Sequence, residues 1–368
     1  MNAIIKSVDV AGFTIPTDFP EADGTYEWKE TTLIVVRVKS EEQEGLGYSY
    51  SSVTAAQLVD NHLASHVVGA DAMSPRAVWN QMYRSVRNLG RDGIASTAIS
   101  AVDTAVWDLK ARCLGCSMVG LLGQVRESIP VYGSGGFTSY SDEQLTSQLA
   151  CWVASGIRSV KMKIGSEPER DVKRVRAARA AIGDAALYVD ANGAYNVKQA
   201  LDLASEFSDY GVTWFEEPVS ADDLTGLRFI RERSPLGMEI AAGEYGYNQR
   251  YFRHMLQSGA VDVLQADATR CGGVTGFLLA ADIADNFGRP LSAHTAPALH
   301  GSLCCAATRA RNVEYFHDHA RIERMLFEGG PALQNGDLIP DRSLEGLGLV
   351  FKDADARRFQ VFRGEKHA

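Results

Sequence analysis

From residue 129 onward the sequence repeats one unit, a short apolar strand followed by a polar loop and an amphipathic helix. The predicted strands are 129–134, 158–163, 187–190, 213–216, 239–244, 261–267, 290–294 and 312–316. Strands that alternate with helices form a parallel sheet, which is either open or closed into a barrel. Eight such strands favour the barrel, in which functional residues lie at the C-terminal ends of the strands.

A polar residue stands at or near the end of each predicted strand after the first. These residues are Lys163, Asp190, Glu216, Glu244, Asp267, His294 and Glu314. Neighbours in this series are 20 to 28 residues apart, close to the length of one strand–helix unit. We therefore expect all of them around a single barrel mouth.

Three consecutive members of this series are carboxylates, namely Asp190, Glu216 and Glu244. One such residue alone would most often be a solvated loop carboxylate. Three that converge from adjacent strands repel one another unless a cation lies between them. Ligands that are all oxygen select a hard ion, with Mg²⁺ ahead of Ca²⁺ or Zn²⁺.

Candidate bases flank this predicted metal site. Lys161 and Lys163 alternate along one strand and so share a face, where burial and their like charges should lower the pKa of each. Asp267 and His294 end two adjacent strands, and a carboxylate beside a histidine fixes its tautomer and raises its basicity. A metal between two bases suits abstraction of a proton from a carbon next to a carboxylate.

The first 125 residues have a different, α+β pattern. Strands are predicted at 4–10, 31–38 and 45–50, and helices at 53–68, 77–88 and 94–115. The segment 17–28 is rich in Pro, Gly and Asp and carries three aromatic residues, so we expect a loop that acts as a lid to exclude water. The alternative is a plain exposed loop.

Charge and hydropathy exclude several classes of protein. A net charge of −9 argues against a nucleic-acid partner. No apolar run reaches the length of a membrane span, and the N-terminus does not resemble a signal peptide, so a cytoplasmic location is expected. The six cysteines are interpreted as small core residues, because no second pair follows Cys113 and Cys116 at zinc-ligand spacing.

Taken together, the motifs resemble those of the mandelate racemase subgroup of the enolase superfamily over nearly the whole chain. The matching segments are KMK (161–163), VDAN (189–192), WFEEP (214–218), AGE (242–244), QADATRCGGVTG (265–276), SAH (292–294), VEY (313–315) and, near the N-terminus, AISAVDTAVWDL (98–109). The resemblance implies an α/β fold, a modified TIM barrel of the form (β/α)₇β at 126–320. It also implies an α+β capping domain at 1–125, a C-terminal segment at 321–368 that packs back on the cap, and a homo-oligomer between dimer and octamer.

The resemblance also implies roles for single residues. Asp190, Glu216 and Glu244 would bind Mg²⁺. Lys163 would be the base on one face, with Lys161 lowering its pKa, and His294, oriented by Asp267, would act on the other face. Glu314 would hydrogen-bond the substrate carboxylate, and Asn192 would contact the α-hydroxyl. Some sugar-acid dehydratases of this group use a histidine as a general acid at the position where this chain has Asn192. The asparagine argues against that mechanism in this chain.

The predicted reaction is Mg²⁺-dependent dehydration of a small sugar acid to a 2-keto-3-deoxy acid through an enolate. The alternatives are racemisation or epimerisation, cycloisomerisation, and a non-catalytic binding barrel. Further candidate substrate contacts are Trp28, Tyr132, Arg270, His317 and His319. For His317 and His319, a surface turn is an equal alternative.

Overall fold

The computed structural model describes residues 3–367, beginning with an N-terminal cap built on an antiparallel sheet. Its first three strands are β1 (Ser7–Ala22), β2 (Glu27–Lys39) and β3 (Glu44–Tyr50). Its helices are α1 (Val53–Leu58), α2 (Pro75–Ser85), α3 (Ile94–Cys113) and α4 (Met118–Leu122). The α+β character predicted for this region is confirmed.

Eight parallel strands follow and close into a barrel. They are β4 (Ile129–Gly135), β5 (Ser159–Lys163), β6 (Ala186–Asp190), β7 (Val212–Glu216), β8 (Glu239–Ala242), β9 (Val263–Ala266), β10 (Leu291–Ala293) and β11 (Ala310–Phe316). Each strand pairs with the next along the chain, and β11 pairs with β4 to complete the barrel. The intervening helices are α5 (Asp142–Ala154), α6 (Pro168–Ile182), α7 (Val197–Ser208), α8 (Leu224–Arg231), α9 (Gln249–Gln257), α10 (Gly273–Asn286) and α11 (Pro297–Ala306). The predicted modified TIM barrel is confirmed.

The C-terminal segment returns to the cap. Its elements are α12 (His317–Leu326), β12 (Phe327–Gly329), β13 (Ala332–Gln334), β14 (Asp337–Ile339), β15 (Leu349–Phe351), α13 (Asp353–Ala356) and β16 (Gln360–His367). The last strand pairs antiparallel with β1 and becomes the fourth strand of the cap sheet. Helix α12 continues across residue 320. The predicted domain limits at 125 and 320 remain predictions.

Alternation along β5 explains why its lysines face the barrel interior. Val160 and Met162 are fully buried in the large core cluster, which also contains residues of α5 and α6. Lys161 and Lys163 therefore point inward. The register then aligns Lys163 with Asp190, and Asp190 with Glu216, on neighbouring strands. These three charged side chains consequently lie in one layer at the barrel mouth.

The cap docks on the barrel through the buried helix α3. Asp103 of α3 accepts hydrogen bonds from the backbone N of Thr275 (2.9 Å) and from its hydroxyl (2.7 Å). The indole N of Trp107 donates to the same hydroxyl at 2.9 Å. These bonds fix the cap relative to the start of α10, and they join two of the motifs that the sequence carries.

The loop predicted at 17–28 is wrong as a conformation, its role as a lid remains a prediction, and the helix predicted at 53–68 is present with interruptions. The segment 17–28 is mostly a β-hairpin, because β1 continues to Ala22 and β2 begins at Glu27, with a register shift between Pro16 and Glu21. Asp23 closes the turn by accepting from the backbone N of Thr25 and of Tyr26. The helix predicted at 53–68 is broken into α1, a π-helical turn at 59–63 and a 3₁₀ turn at 64–66.

Between residues 3 and 367, no helix combines the length and the apolar character that crossing a membrane requires.

Candidate active site

The three predicted metal ligands meet at the barrel mouth. Asp190 and Glu216 end β6 and β7, and Glu244 lies two residues after β8. One carboxylate oxygen from each lies within 4.8 Å of the others, and all three residues are buried. Gly243 lets the chain turn here, because its φ is +137° and an added Cβ would lie 2.1 Å from the carbonyl oxygen of Gln265.

The chemistry of this donor set fits Mg²⁺. Its members offer oxygen atoms alone, which is the preference of a hard divalent cation. Burial and then the neighbouring charge of Asp190 raise the pKa of Glu216 to about 8. Both causes disfavour the ionised form of Glu216, and a divalent cation bound beside it would offset them.

Lys161 is almost wholly buried beside the three carboxylates. Its Nζ contacts Glu216 Oε1 at 2.6 Å, Glu314 Oε1 at 2.8 Å and Asp190 Oδ2 at 3.4 Å. Lys163 reaches the cavity, with Nζ 2.5 Å from Asp190 Oδ2 and 3.0 Å from Asn192 Oδ1. The structure thus places Lys163 where it can meet a substrate and Lys161 where it can act through its charge.

The expected lowering of the lysine pKa values is wrong for the protein without metal. Burial lowers the pKa of Lys163, and the charge of Lys161 adds to this. The charges of Asp190, Glu244 and Glu216 together outweigh both, so the pKa ends above its usual value. The pKa of Lys161 is raised as well, because Glu216 and Glu314 outweigh its burial. The like charges on one strand lower these pKa values, but the carboxylates on the neighbouring strands raise them by more.

His294 and Asp267 form the pair that their spacing predicted. His294 Nδ1 donates to Asp267 Oδ2 at 2.8 Å, and Nε2 lies 3.2 Å from Glu244 Oε2. Burial lowers the pKa of His294, but Glu244 and then Glu314 and Asp267 outweigh it and raise the pKa to about 9. Lys163 and His294 therefore flank the three carboxylates, one at the end of β5 and the other at the end of β10.

Glu314, in β11, completes the ring of charges. Its Oε1 accepts from Ser134 Oγ at 2.6 Å and its Oε2 from the backbone N of Thr295 at 3.1 Å. Burial would raise its pKa, but the charges of Lys161, His294 and Lys163 together outweigh burial and lower the pKa to about 2. Sequence reasoning missed Ser134 and Thr295, since a hydroxyl or a backbone N–H at a strand end carries no periodic signal.

Backbone strain is concentrated directly after the strands of the site. Among the described non-glycine residues, five have positive φ, and four of these follow β6, β7 or β10: Asn192, Glu217, Thr295 and Ala296. Such backbone conformations cost free energy and persist where surrounding contacts require them. Asn192 illustrates this, because its backbone N donates to Asp190 Oδ1 at 2.9 Å while its side chain meets Lys163.

A cavity of about 390 Å³ lies between the barrel mouth and the cap. Lys163, Asn192, Glu244, His294 and Glu314 line it from the barrel, together with Arg270 and His319. From the cap it is lined by residues of the β1–β2 hairpin and of β2 and β3, including Trp28, Glu30, Thr32 and Ser51. The sequence does not predict that most of these cap residues line the cavity, because a contact between two domains produces no repeating pattern along the chain.

The structure separates the remaining predicted substrate contacts into two groups. Trp28, Arg270 and His319 line the cavity. Tyr132 does not line it, because its side chain is fully buried within the barrel among Tyr188 and Trp214. His317 also lies outside the cavity, and its Nε2 is 2.9 Å from Asp18 Oδ2 on the cap hairpin.

Two family profiles cover most of the chain. The profile of the N-terminal domain of mandelate racemase and muconate lactonizing enzymes matches residues 16–123, and the profile described as enolase C-terminal domain-like matches residues 144–356. The chain belongs to the mandelate racemase/muconate lactonizing enzyme family of the enolase superfamily. The resemblance inferred from the motifs is thereby confirmed.

Curated members of this family include both dehydratases and cycloisomerases. The chain is 31% identical to L-talarate/galactarate dehydratase of Salmonella typhimurium over 339 residues, covering 90% of this chain and 83% of that protein. It is 33% identical to 3,6-anhydro-alpha-L-galactonate cycloisomerase of Streptomyces coelicolor over 359 residues, covering 95% and 98%.

Solved structures of the family superpose closely on the model. A mandelate racemase/muconate lactonizing enzyme-like protein from Rubrobacter xylanophilus has a TM-score of 0.95 and 48% identity, covering 97% of this chain and all of that one. L-talarate dehydratase from Polaromonas sp. JS666, complexed with Mg and L-glucarate, has a TM-score of 0.90 and 28% identity, covering 99% of each chain. The chain is an enzyme of the lyase or isomerase kind, and its cofactor is Mg²⁺.

Proposed function

We propose that this enzyme dehydrates a hydroxylated sugar acid to a 2-keto-3-deoxy acid, with Lys163 as the base and His294 as the acid. One observation carries the proposal. Lys163 and His294 flank the three buried carboxylates and line the same cavity, so one bound substrate can contact both. Asp190, Glu216 and Glu244 are the proposed metal ligands.

The site can bind the reacting carboxylate and polarise it. Mg²⁺, when held by the three carboxylates, would stabilise the charge that develops on the substrate carboxylate and offset the negative charge that raises the lysine pKa values. Glu314 is held in place by Ser134, Lys161 and Thr295. It would contact that carboxylate in its protonated form, because only the protonated group can donate a hydrogen bond to it. Asn192, 3.0 Å from Lys163, would meet the α-hydroxyl.

The proton steps use the two flanking residues. Lys163 Nζ takes the proton from the carbon next to the carboxylate, and the electron pair of that bond enters the enolate. As the enolate collapses, the hydroxyl on the next carbon leaves and takes a proton from His294 Nε2, so that water departs. The resulting enol then takes up a proton at carbon and releases the proton of its hydroxyl group, which gives the 2-keto acid. Asp267 holds the His294 ring so that Nε2 faces the cavity.

Dehydration is favoured over the alternatives by the polar cavity wall and by the relatives. Thr32 and Ser51 of the cap line the cavity and can pair with substrate hydroxyls. An arabinonate dehydratase of Saccharolobus solfataricus is 30% identical over 341 residues, covering 88% of this chain and 90% of that protein. Cycloisomerisation is the second candidate, because the cycloisomerase of Streptomyces coelicolor matches nearly the whole chain.

The expected homo-oligomer remains a prediction.

The test is incubation with Mg²⁺ and a panel of sugar acids in deuterated water. Product formation is followed by an assay for 2-keto acids, and isotope exchange at the α-carbon by proton NMR. Dehydration gives a 2-keto-3-deoxy product. Racemisation or epimerisation gives deuterium incorporation with an inverted centre, and cycloisomerisation gives an isomer without loss of water.

Single variants then assign the proposed roles. Lys163→Ala should abolish exchange of the proton that it removes, and His294→Asn should lower dehydration by at least ~10²-fold, the usual range for a general acid or base. Lys173→Ala, a change at an exposed lysine on α6, is the matched control and should retain activity. A Lys163→Ala protein that is folded and fully active would contradict the assignment.

A further inference from the structure

We propose that the substrate is a monocarboxylic sugar acid with a hydroxyl group at its far end, an aldonate, and that Glu30 disfavours the matching dicarboxylic acid. The inference rests on the proposed dehydratase function and names its substrate class. It follows from how charge is distributed between the two ends of the cavity.

The basic side chains lie at the barrel end of the cavity and are already paired. Lys163 contacts Asp190, and His294 contacts Asp267 and Glu244. Arg270 lies 3.4 Å from Glu244 Oε1 and 3.6 Å from Asp267 Oδ2. These groups lie beside the proposed metal ligands, where the reacting carboxylate would bind, and each already has an acidic partner.

The cap end of the cavity has the opposite charge. Among the described residues that line it, the cap contributes two acids, Asp23 and Glu30, and neither Lys nor Arg. Asp23 already accepts hydrogen bonds from the backbone N of Thr25 and of Tyr26. The exposed Glu30 carboxylate has no hydrogen-bond or ion-pair partner among residues 3–367 and is free to meet a ligand.

The histidine on this side does not supply the missing positive charge. His319 stacks on Tyr50 and is buried, and burial lowers its pKa well below the usual value. It is therefore neutral at physiological pH. A ligand group at the cap end would meet the acids and neutral side chains such as Thr32 and Ser51.

A hydroxyl group suits this end and a carboxylate does not. A terminal hydroxyl can donate a charge-assisted hydrogen bond to Glu30. A terminal carboxylate has no proton to donate and is repelled by the same oxygen atoms. Specificity often depends on such a repulsive element in addition to attractive contacts. Glu30 thus discriminates between acids that differ only in the oxidation state of the last carbon.

Matched substrate pairs test this directly. We would measure kcat/KM for galactonate against galactarate, gluconate against glucarate, and mannonate against mannarate, since the members of each pair share their configuration at the inner carbons. For each pair that the enzyme turns over, kcat/KM should be at least ~10-fold higher for the aldonate than for the dicarboxylic acid, because juxtaposed like charges are strongly disfavoured. Higher salt should reduce the preference, since Glu30 is exposed to solvent.

Variants at position 30 identify the residue responsible. Glu30→Lys should shift the ratio of kcat/KM values toward the dicarboxylic acid by ~10-fold or more, and Glu30→Gln should give a smaller shift in the same direction. The control is Glu42→Lys, which makes the same charge change at an exposed residue between β2 and β3 that does not line the cavity. It should leave the ratio unchanged.

The outcomes separate this inference from the function on which it rests. Turnover of a dicarboxylic acid at a rate equal to or above that of its matched aldonate overturns the inference and leaves the dehydratase intact. An unchanged ratio in a folded Glu30→Lys protein overturns the role of Glu30. A folded enzyme that forms no keto acid from any of the six compounds removes the dehydratase and the inference together.

Discussion

At the scale of single residues, charged groups of the site are held by partners from neighbouring strands, and this sets what each can do. Asp267 is the clearest case. Its Oδ1 accepts from the backbone N and from the hydroxyl of Thr269, both at 2.7 Å, which leaves Oδ2 to accept from His294 Nδ1. The carboxylate therefore fixes both the ring orientation of His294 and its tautomer.

Asp267→Asn should lower kcat by ~10²-fold or more with little change in KM. The neutral amide no longer stabilises a doubly protonated His294 ring, and by donating to Nδ1 it keeps that nitrogen unprotonated, so the form that donates a proton from Nε2 is disfavoured. Steady-state kinetics on a sugar acid that the unmodified enzyme turns over would measure this. Asp262→Asn is the control, since Asp262 pairs with Arg231 near the other end of β9. Equal kcat values for the Asp267→Asn and unmodified enzymes would show that Asp267 does not position His294.

At the scale of helices and strands, the barrel could be predicted closely and the cap less well. Asp190 and Glu216 mark the ends of β6 and β7 in the sequence, and the predicted strands end at these same two residues. The hairpin at 17–28 was missed because Pro16, Pro20 and Gly24 indicate a loop, whereas pairing between β1 and β2 supplies the strand. The short strands β12 to β15 were also missed. The pairs β12–β15 and β14–β4 join parts of the chain that are distant in sequence, and the local hairpin of β13 and β14 has strands of only three residues.

The contact of β3 with α11 and α12 gives a pH-dependent stability. Tyr48 of β3 donates to Glu323 Oε1 at 2.6 Å, and the backbone N of Ala298 donates to Oε2 at 2.9 Å. Burial outweighs these bonds and raises the pKa of Glu323 to about 8. The folded protein thus holds a proton there that the unfolded chain releases near pH ~4.3. The stabilisation is complete below that pH and is lost as the pH rises through 8.

Glu323→Gln should therefore flatten the dependence of the unfolding free energy on pH between ~5 and 8. The contribution removed is at most about 1.4 kcal/mol per pH unit, the value for one proton. Urea unfolding at several pH values would measure it, with the exposed Glu328→Gln as control. The same slope in the Glu323→Gln and unmodified proteins would show that Glu323 does not titrate in this window.

At the scale of the whole molecule, the site exists because two domains close on one another. The barrel supplies the carboxylates and both proposed proton carriers, while the cap supplies the far wall of the cavity. Helix α3 and strand β16 tie the cap to the rest of the chain. The repeat in the sequence revealed the barrel half of the site. It could not reveal Glu30, whose place in the cavity depends on how the domains pack.

The central claim is that Asp190, Glu216 and Glu244 hold one divalent ion between Lys163 and His294. Binding of Mn²⁺ as a substitute for Mg²⁺, measured by electron paramagnetic resonance, tests this claim. The unmodified protein should bind one ion per chain, and Asp190→Asn should lose this binding. Asp184→Asn, at the exposed start of the same strand–loop unit, should bind as the unmodified protein does. Unchanged Mn²⁺ affinity and stoichiometry in a folded Asp190→Asn protein would contradict the account.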